Sequence, residues 1–180
     1  MITIKHLKRA MTVMAAALLA VPATTMPTHA RDAAAPLHYL VGEWTGEGWV
    51  DMGQGRMEFR QHERITSRLD GNIITIEGTG SDPANAGVTV FEAFAVLSAS
   101  GKPGEFTMRS YTREGQAGTF PAVLETPNRL VWTITVPGRL IRYRSEVTGD
   151  RWIETGEASV DGGSKWMKFF EMTLDRMPAG

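Results

Sequence analysis

The 180-residue chain has no cysteine and only four histidines. The first absence excludes disulfide stapling, thiolate nucleophiles and lipoprotein anchoring through a cysteine. The second narrows imidazole chemistry. His6 and His29 lie in the first thirty residues, which leaves His38 and His62 for everything downstream. A zinc site, a haem ligand or a Ser-His-Asp triad would have to draw on one of these two. Long apolar runs are missing as well. The stretch from Met11 to Val21 falls well short of the roughly twenty residues that span a bilayer.

That short stretch has a different meaning. Lys5, Lys8 and Arg9 precede it, and Thr28-His29-Ala30 follows with the small-x-small pattern that signal peptidase accepts. Residues 1–30 are therefore expected to be a signal peptide cut after Ala30, with the remainder periplasmic or secreted. This segment holds three basic residues and no acidic one. The other 150 residues then carry 16 Lys and Arg against 20 Asp and Glu, a balance of −4. That balance disfavours nucleic acid as a partner and an electrostatic membrane anchor. The length suits one domain able to bury about two-thirds of its chain surface.

After a short tether over residues 31–36, Leu37 to Val41 form an expected helical turn that plugs one end of the domain, which spans 37–177. From there turn residues recur every eight to twelve positions, the all-β pattern. Strands are expected at Glu43–Val50, Arg56–Leu69, Asn72–Gly80, Val88–Ala99, Glu105–Arg113, Gly118–Glu125, Arg129–Val136, Arg139–Thr148, Arg151–Val160 and Lys165–Arg176. Ten antiparallel strands of this length avoid exposed edges by closing, so a single up-and-down β-barrel is expected, with a filled sandwich as the competing architecture. Membrane insertion of such a barrel would put Arg64, Glu77, Arg142, Arg144 and Glu157 into lipid.

Two hairpins set the register. Asp70-Gly71 suits a type I′ turn, which needs positive φ at both central residues. It would pair Ser67 with Ile74, Ile65 with Ile76 and Glu63 with Gly78 on one face, and Arg64 with Glu77 and Thr66 with Thr75 on the other. Gly149-Asp150, read in the same way, would pair Val147 with Trp152, Ser145 with Glu154 and Tyr143 with Gly156. The mostly apolar faces point inward.

Leu37-x-x-Leu40-Val41-Gly42-Glu43-Trp44-Thr45-Gly46 and the closing strand Trp166–Arg176 together resemble the two ends of calycin-type barrels. The nearest likeness is to an uncharacterised bacterial lipocalin-like family opening with Leu-x-Gly-x-Trp-x-Gly, and more distantly to nitrobindin-like and fatty-acid-binding-protein-like barrels. The resemblance implies that Gly42 turns the chain into the first strand, and that Trp44 closes the barrel floor with Arg176 against its ring. The nitrobindin-like relatives bind haem through a histidine in the last strand. The matching Lys168-Phe169-Phe170-Glu171 has none, and His62 falls on the outer face, so no cofactor is expected.

On the inward faces, Gln61 and Glu63 lie opposite Gly78 and Gly80, which leave space beside them. Tyr143, Ser145 and Glu154 form a second inward polar group, and Arg109 or Arg113 would neutralise the carboxylates if either reached them. The apolar set including Met108, Trp132 and Phe170 suits an adaptable pocket or an ordinary core. The expected ligand-binding residues are thus Gln61, Glu63, Met108, Trp132, Tyr143, Glu154 and Phe170, serving a small, largely apolar molecule without catalysis and without a metal. Two other readings stand beside this one: an enzyme using Glu63 and Glu154, or a filled barrel acting through its outer face.

Overall fold

A computed structural model describes residues 32–178, so the expected signal peptide lies outside the described residues. After Ala34, a 3-10 helix over Ala35–Leu40 leads into ten strands: β1 (Gly42–Asp51), β2 (Arg56–Arg68), β3 (Ile73–Ser81), β4 (Thr89–Ala99), β5 (Glu105–Thr112), β6 (Ala117–Thr126), β7 (Arg129–Val136), β8 (Arg139–Thr148), β9 (Arg151–Ser159) and β10 (Met167–Arg176). Each strand pairs with the next, and β1 also pairs with β10. The sheet is a closed, all-antiparallel, up-and-down barrel.

Both hairpin registers follow from their turns. Ser67 faces Ile74, Ile65 faces Ile76 and Glu63 faces Gly78. Asp70 and Gly71 both take positive φ, 54° and 82°, and the Asn72 amide donates to the Leu69 carbonyl at 3.2 Å. Leu69 also takes positive φ, 53°, so the ladder ends at Arg68 and Ile73, one pair short of the two-residue I′ expectation. In the second hairpin Ser145 faces Glu154 and Tyr143 faces Gly156. There only Gly149 has positive φ, at 59°. The φ pattern is that of a II′ turn with glycine first, a correction to the I′ expectation that leaves the register intact.

The last strand starts later than the sequence suggests. Asp161 Oδ1 accepts from the Ser159 hydroxyl at 2.8 Å and from the Lys165 amide at 2.9 Å, and the Trp166 indole donates to the Gly163 carbonyl at 2.9 Å. These bonds hold Lys165 and Trp166 in the connection, and pairing begins at Met167. A bulge between Lys168 and Phe170 follows at once. It breaks the alternation and brings both Phe169 and Phe170 against Tyr143, at ring separations of 5.9 and 5.8 Å.

The barrel is sealed at the helix end. Leu37 and Leu40 are buried with Trp44, Ile65, Ile74, Leu97, Leu130, Trp152 and Leu174 in one core. The segment before the helix docks there too: the Ala34 amide donates to Gly71 at 2.9 Å, and Ala34 is fully buried. Toward the opposite end the inward positions are progressively wetter. Ser110, Thr112, Phe120, Trp132, Ile134, Ile141 and Tyr143 are half-buried, and Met57 and Phe91 at the rim are exposed.

The outer wall is charged. Glu43 accepts from Arg64 at 3.2 Å and lies 3.4 Å from His62, Arg129 pairs with Glu146 at 2.7 Å, and Glu157 takes both Arg142, at 2.8 Å, and Arg144. A lipid-facing wall does not carry such a band. Among the described residues no helix is long and apolar enough to cross a membrane.

Candidate functional site

The floor is built around Trp44. Its indole donates to the Leu40 carbonyl at 2.8 Å, fixing the helix to β1, and its ring meets Trp152 edge-on at 5.6 Å. The Arg176 guanidinium lies 3.9 Å from the Trp44 ring and donates to the Val41 carbonyl at 2.6 Å and the Tyr39 carbonyl at 2.8 Å. Gly42 makes room for it. A Cβ at that position would come within 2.7 Å of Arg176 Nη1. One cation thus ties the last strand to the carbonyls that the short helix leaves free.

Above this floor the interior turns polar. Gln61 and Glu63 on β2 and Ser145 and Glu154 on neighbouring β8 and β9 are all buried. Gln61 Nε2 donates to Glu63 Oε1 at 2.7 Å. Glu63 Oε2 and Ser145 Oγ have no hydrogen-bond partner, nor does the buried indole nitrogen of Trp152. Burial pushes the Glu63 carboxyl up to about 7, with the Gln61 hydrogen bond pulling it partly back. Burial raises Glu154 well above the ordinary carboxylate value, and the charge of Glu63 raises it further. Tyr143 is pushed up to about 12, first by burial and then by Glu154. Glu154 is thus linked electrostatically to Glu63 on one side and to Tyr143 on the other.

The space expected beside Gly78 and Gly80 is occupied. A Cβ on Gly78 would lie 2.7 and 2.8 Å from the two carboxylate oxygens of Glu63, and one on Gly80 would lie 3.1 Å from Gln61 Oε1. These glycines are the bed in which the polar side chains lie. The proposed arginine neutralisers do not reach them either. Arg109 is exposed on the outer wall, 3.4 Å from Ser98, and exposed Arg113 donates at 3.5 Å to the Thr89 carbonyl. The carboxyl pair has no cationic partner among the described residues.

An aromatic row overlies this group. Trp132 stacks on Tyr143 at 5.2 Å, Tyr143 meets Phe170 edge-on at 5.8 Å, and Phe170 stacks on Phe59 at 5.8 Å. Gln61, Glu63, Tyr143, Glu154, Trp132 and Phe170 thus share one interior. Met108 is buried in the same core, opposite Leu97 and Phe120, in the cluster against which Trp132 and Phe170 pack. Sequence reasoning passed over Trp152 and Phe59 as site residues. The register already put Trp152 inward beside Glu154, so that signal was present.

Two concavities open on the outer wall. One, of about 430 Å³, is lined by Glu77, Thr79, Glu92, Phe94, Tyr111 and Arg113. The other, of about 330 Å³, runs along Glu47, Trp49, Glu58, Pro83 and Glu171. Among the described residues no group of three or more acidic, histidine or cysteine side chains is arranged to hold a metal ion.

Fold and interior together define a calycin-like β-barrel. The structure is similar to that of Rv2717c from M. tuberculosis, with a TM-score of 0.65 and 13% identity over 81% of this chain and 98% of that one. It is also similar to the S-type phycobiliprotein lyase CPES from Guillardia theta, with a TM-score of 0.58 and 11% identity over 80% of this chain and 92% of that one. At these identities the likeness is one of fold. No family model and no curated protein matches the chain.

Proposed function

We propose that the protein is an exported barrel that binds a small, largely apolar molecule in its interior, entering at the end opposite the short helix, and that it does so without transforming it. One observation carries this reading. Glu63 Oε2 and Ser145 Oγ are buried without partners in the same interior as an aromatic row from Trp132 to Phe59. An unmet buried polar atom costs about 1–3 kcal/mol, which a bound molecule's polar end recovers while its apolar body lies against the rings. The fold is shared with a protein named a phycobiliprotein lyase, which is compatible with this reading. The export signal read from residues 1–30 supports a location in the periplasm or outside the cell.

The test uses protein recovered from its own export compartment. Native mass spectrometry is expected to show a small adduct that leaves on denaturation. The neutral dye N-phenyl-1-naphthylamine is expected to brighten with wild-type protein and less with Trp132→Ala. A bare polypeptide mass, together with no dye response, would overturn the proposal.

A further inference from the structure

The interior polar group is unbalanced in a way that specifies the ligand's head. Its members are rich in oxygens that can accept, those of the two carboxyls and of the Gln61 amide and the Ser145 hydroxyl, and ionising either carboxyl adds to them. Among the described residues no cation pairs with them. The inward face of β2 offers Met57, Phe59, Gln61, Glu63 and Ile65, and that of β3 offers Ile76, Gly78 and Gly80. Tyr143 on β8 is the other titratable neighbour, and β10 contributes Phe170 and Met172. Two arginines fall on inward positions, and neither serves the cluster. Arg176 is committed on the floor to the Val41 and Tyr39 carbonyls and to Asp150 at 3.2 Å. Arg139 stands exposed at the open rim.

An anionic head, such as a carboxylate or phosphate, would meet two buried carboxyls and no counter-charge. Among the described residues no group of three or more acidic, histidine or cysteine side chains is arranged to hold a bare metal ion. A neutral head could donate to Ser145 Oγ or to Glu63 Oε2, but it brings no charge to the carboxyl pair. An organic ammonium fits best. It brings up to three donors for Glu63 Oε2, Glu154 and Ser145 Oγ, and the only positive charge among them. The faces of Trp132 and Tyr143 then suit the apolar body, or the ammonium itself through a cation–π contact.

Resting on the lumen-binding reading, we propose that the ligand is a lipophilic amine, bound as its ammonium between Glu63 and Glu154 with Ser145 as third partner. Binding the cation converts a carboxylic acid in the pair to carboxylate, so the complex releases a proton to solvent as it forms.

Three isosteric probes separate this claim from the broader one: 3-phenylpropylamine, 3-phenyl-1-propanol and 3-phenylpropanoate, each titrated calorimetrically. The amine is expected to bind at least about tenfold more tightly than the alcohol and the acid. That preference should vanish in Glu154→Gln and in Glu63→Gln, with the variants' circular dichroism and melting checked against wild type. Wild-type titrations in two buffers of different ionisation enthalpy should show net proton release with the amine and none with the alcohol, a readout independent of how the variants fold. Equal or tighter binding of the alcohol, or no proton release with the amine, would overturn the amine and leave lumen binding intact. If none of the three binds and the naphthylamine dye also fails, both proposals fall.

Discussion

Glu63 lies against the bare Cα of Gly78 across the β2–β3 ladder, close enough that a methyl group there would sit 2.7 Å from its carboxylate. The absence of one side chain creates the berth for another. Gly78→Ala should therefore displace Glu63 from its hydrogen bond with Gln61 and cost about 1–3 kcal/mol by overpacking. In a Glu63→Ala background the same substitution should cost almost nothing. Urea denaturation of the four proteins in this double-mutant cycle reads the coupling directly. Additive costs would show that the two residues do not share space.

The pH dependence of stability has a definite sign. Burial lifts the Glu63 carboxyl from 4.5 to about 7, so the fold favours its protonated form. Its contribution is fully present below about pH 4.5 and is lost as pH rises through about 7. The whole difference is on the order of 3 kcal/mol. Glu154 shifts in the same direction and adds to the loss. The denaturation midpoint should thus fall between about pH 5 and about pH 8, and Glu63→Gln should flatten that fall. A midpoint rising over this range would contradict the burial of the pair.

Arg176 joins three elements through one guanidinium, and its loss should be felt at the floor. Arg176→Met keeps much of the packing but removes the hydrogen bonds to Val41 and Tyr39 and the contact over Trp44. A cost of about 2–4 kcal/mol is expected from these charge-assisted bonds. Near-ultraviolet circular dichroism should weaken as well, because Trp44 and Trp152 are held edge-to-face at this spot. An unchanged spectrum would mean that the helix and the indoles hold the floor without the cation.

Tyr143 contacts Trp132, Phe169 and Phe170 at once, so it governs the shape of the aromatic row. Tyr143→Ala should weaken naphthylamine binding several-fold, whereas Tyr143→Phe should leave it near wild type. Fluorescence titration distinguishes the two. Equal loss in both would assign the role to the hydroxyl instead of the ring.

The strand plan was legible because turn chemistry fixes register and register fixes faces. Asp70-Gly71 alone put Glu63 opposite Gly78, and Gly149-Asp150 put Ser145 opposite Glu154. Trp44 and Arg176 were legible through their likeness to other barrels. Three things were not. The bulge that brings Phe169 inward leaves no mark in a run of alternating residues. The late start of β10 depends on side-chain bonds from Ser159 and Asp161, which compete locally with the ladder. The filling of the space beside Gly78 depends on a rotamer of Glu63, and a missing Cβ looks the same in sequence whether a neighbour occupies it or not.

The seam between β1 and β10 governs how the molecule comes into being. Successive hairpins can zip in the order in which they are synthesised, but the contact between Val41 and Arg176 spans 135 residues. Until the tail arrives, the growing ribbon has two raw margins, each able to recruit a second copy of itself. A chain cut short ahead of Thr173 would never become a ring, so β10 is what removes the two margins on which aggregates could seed.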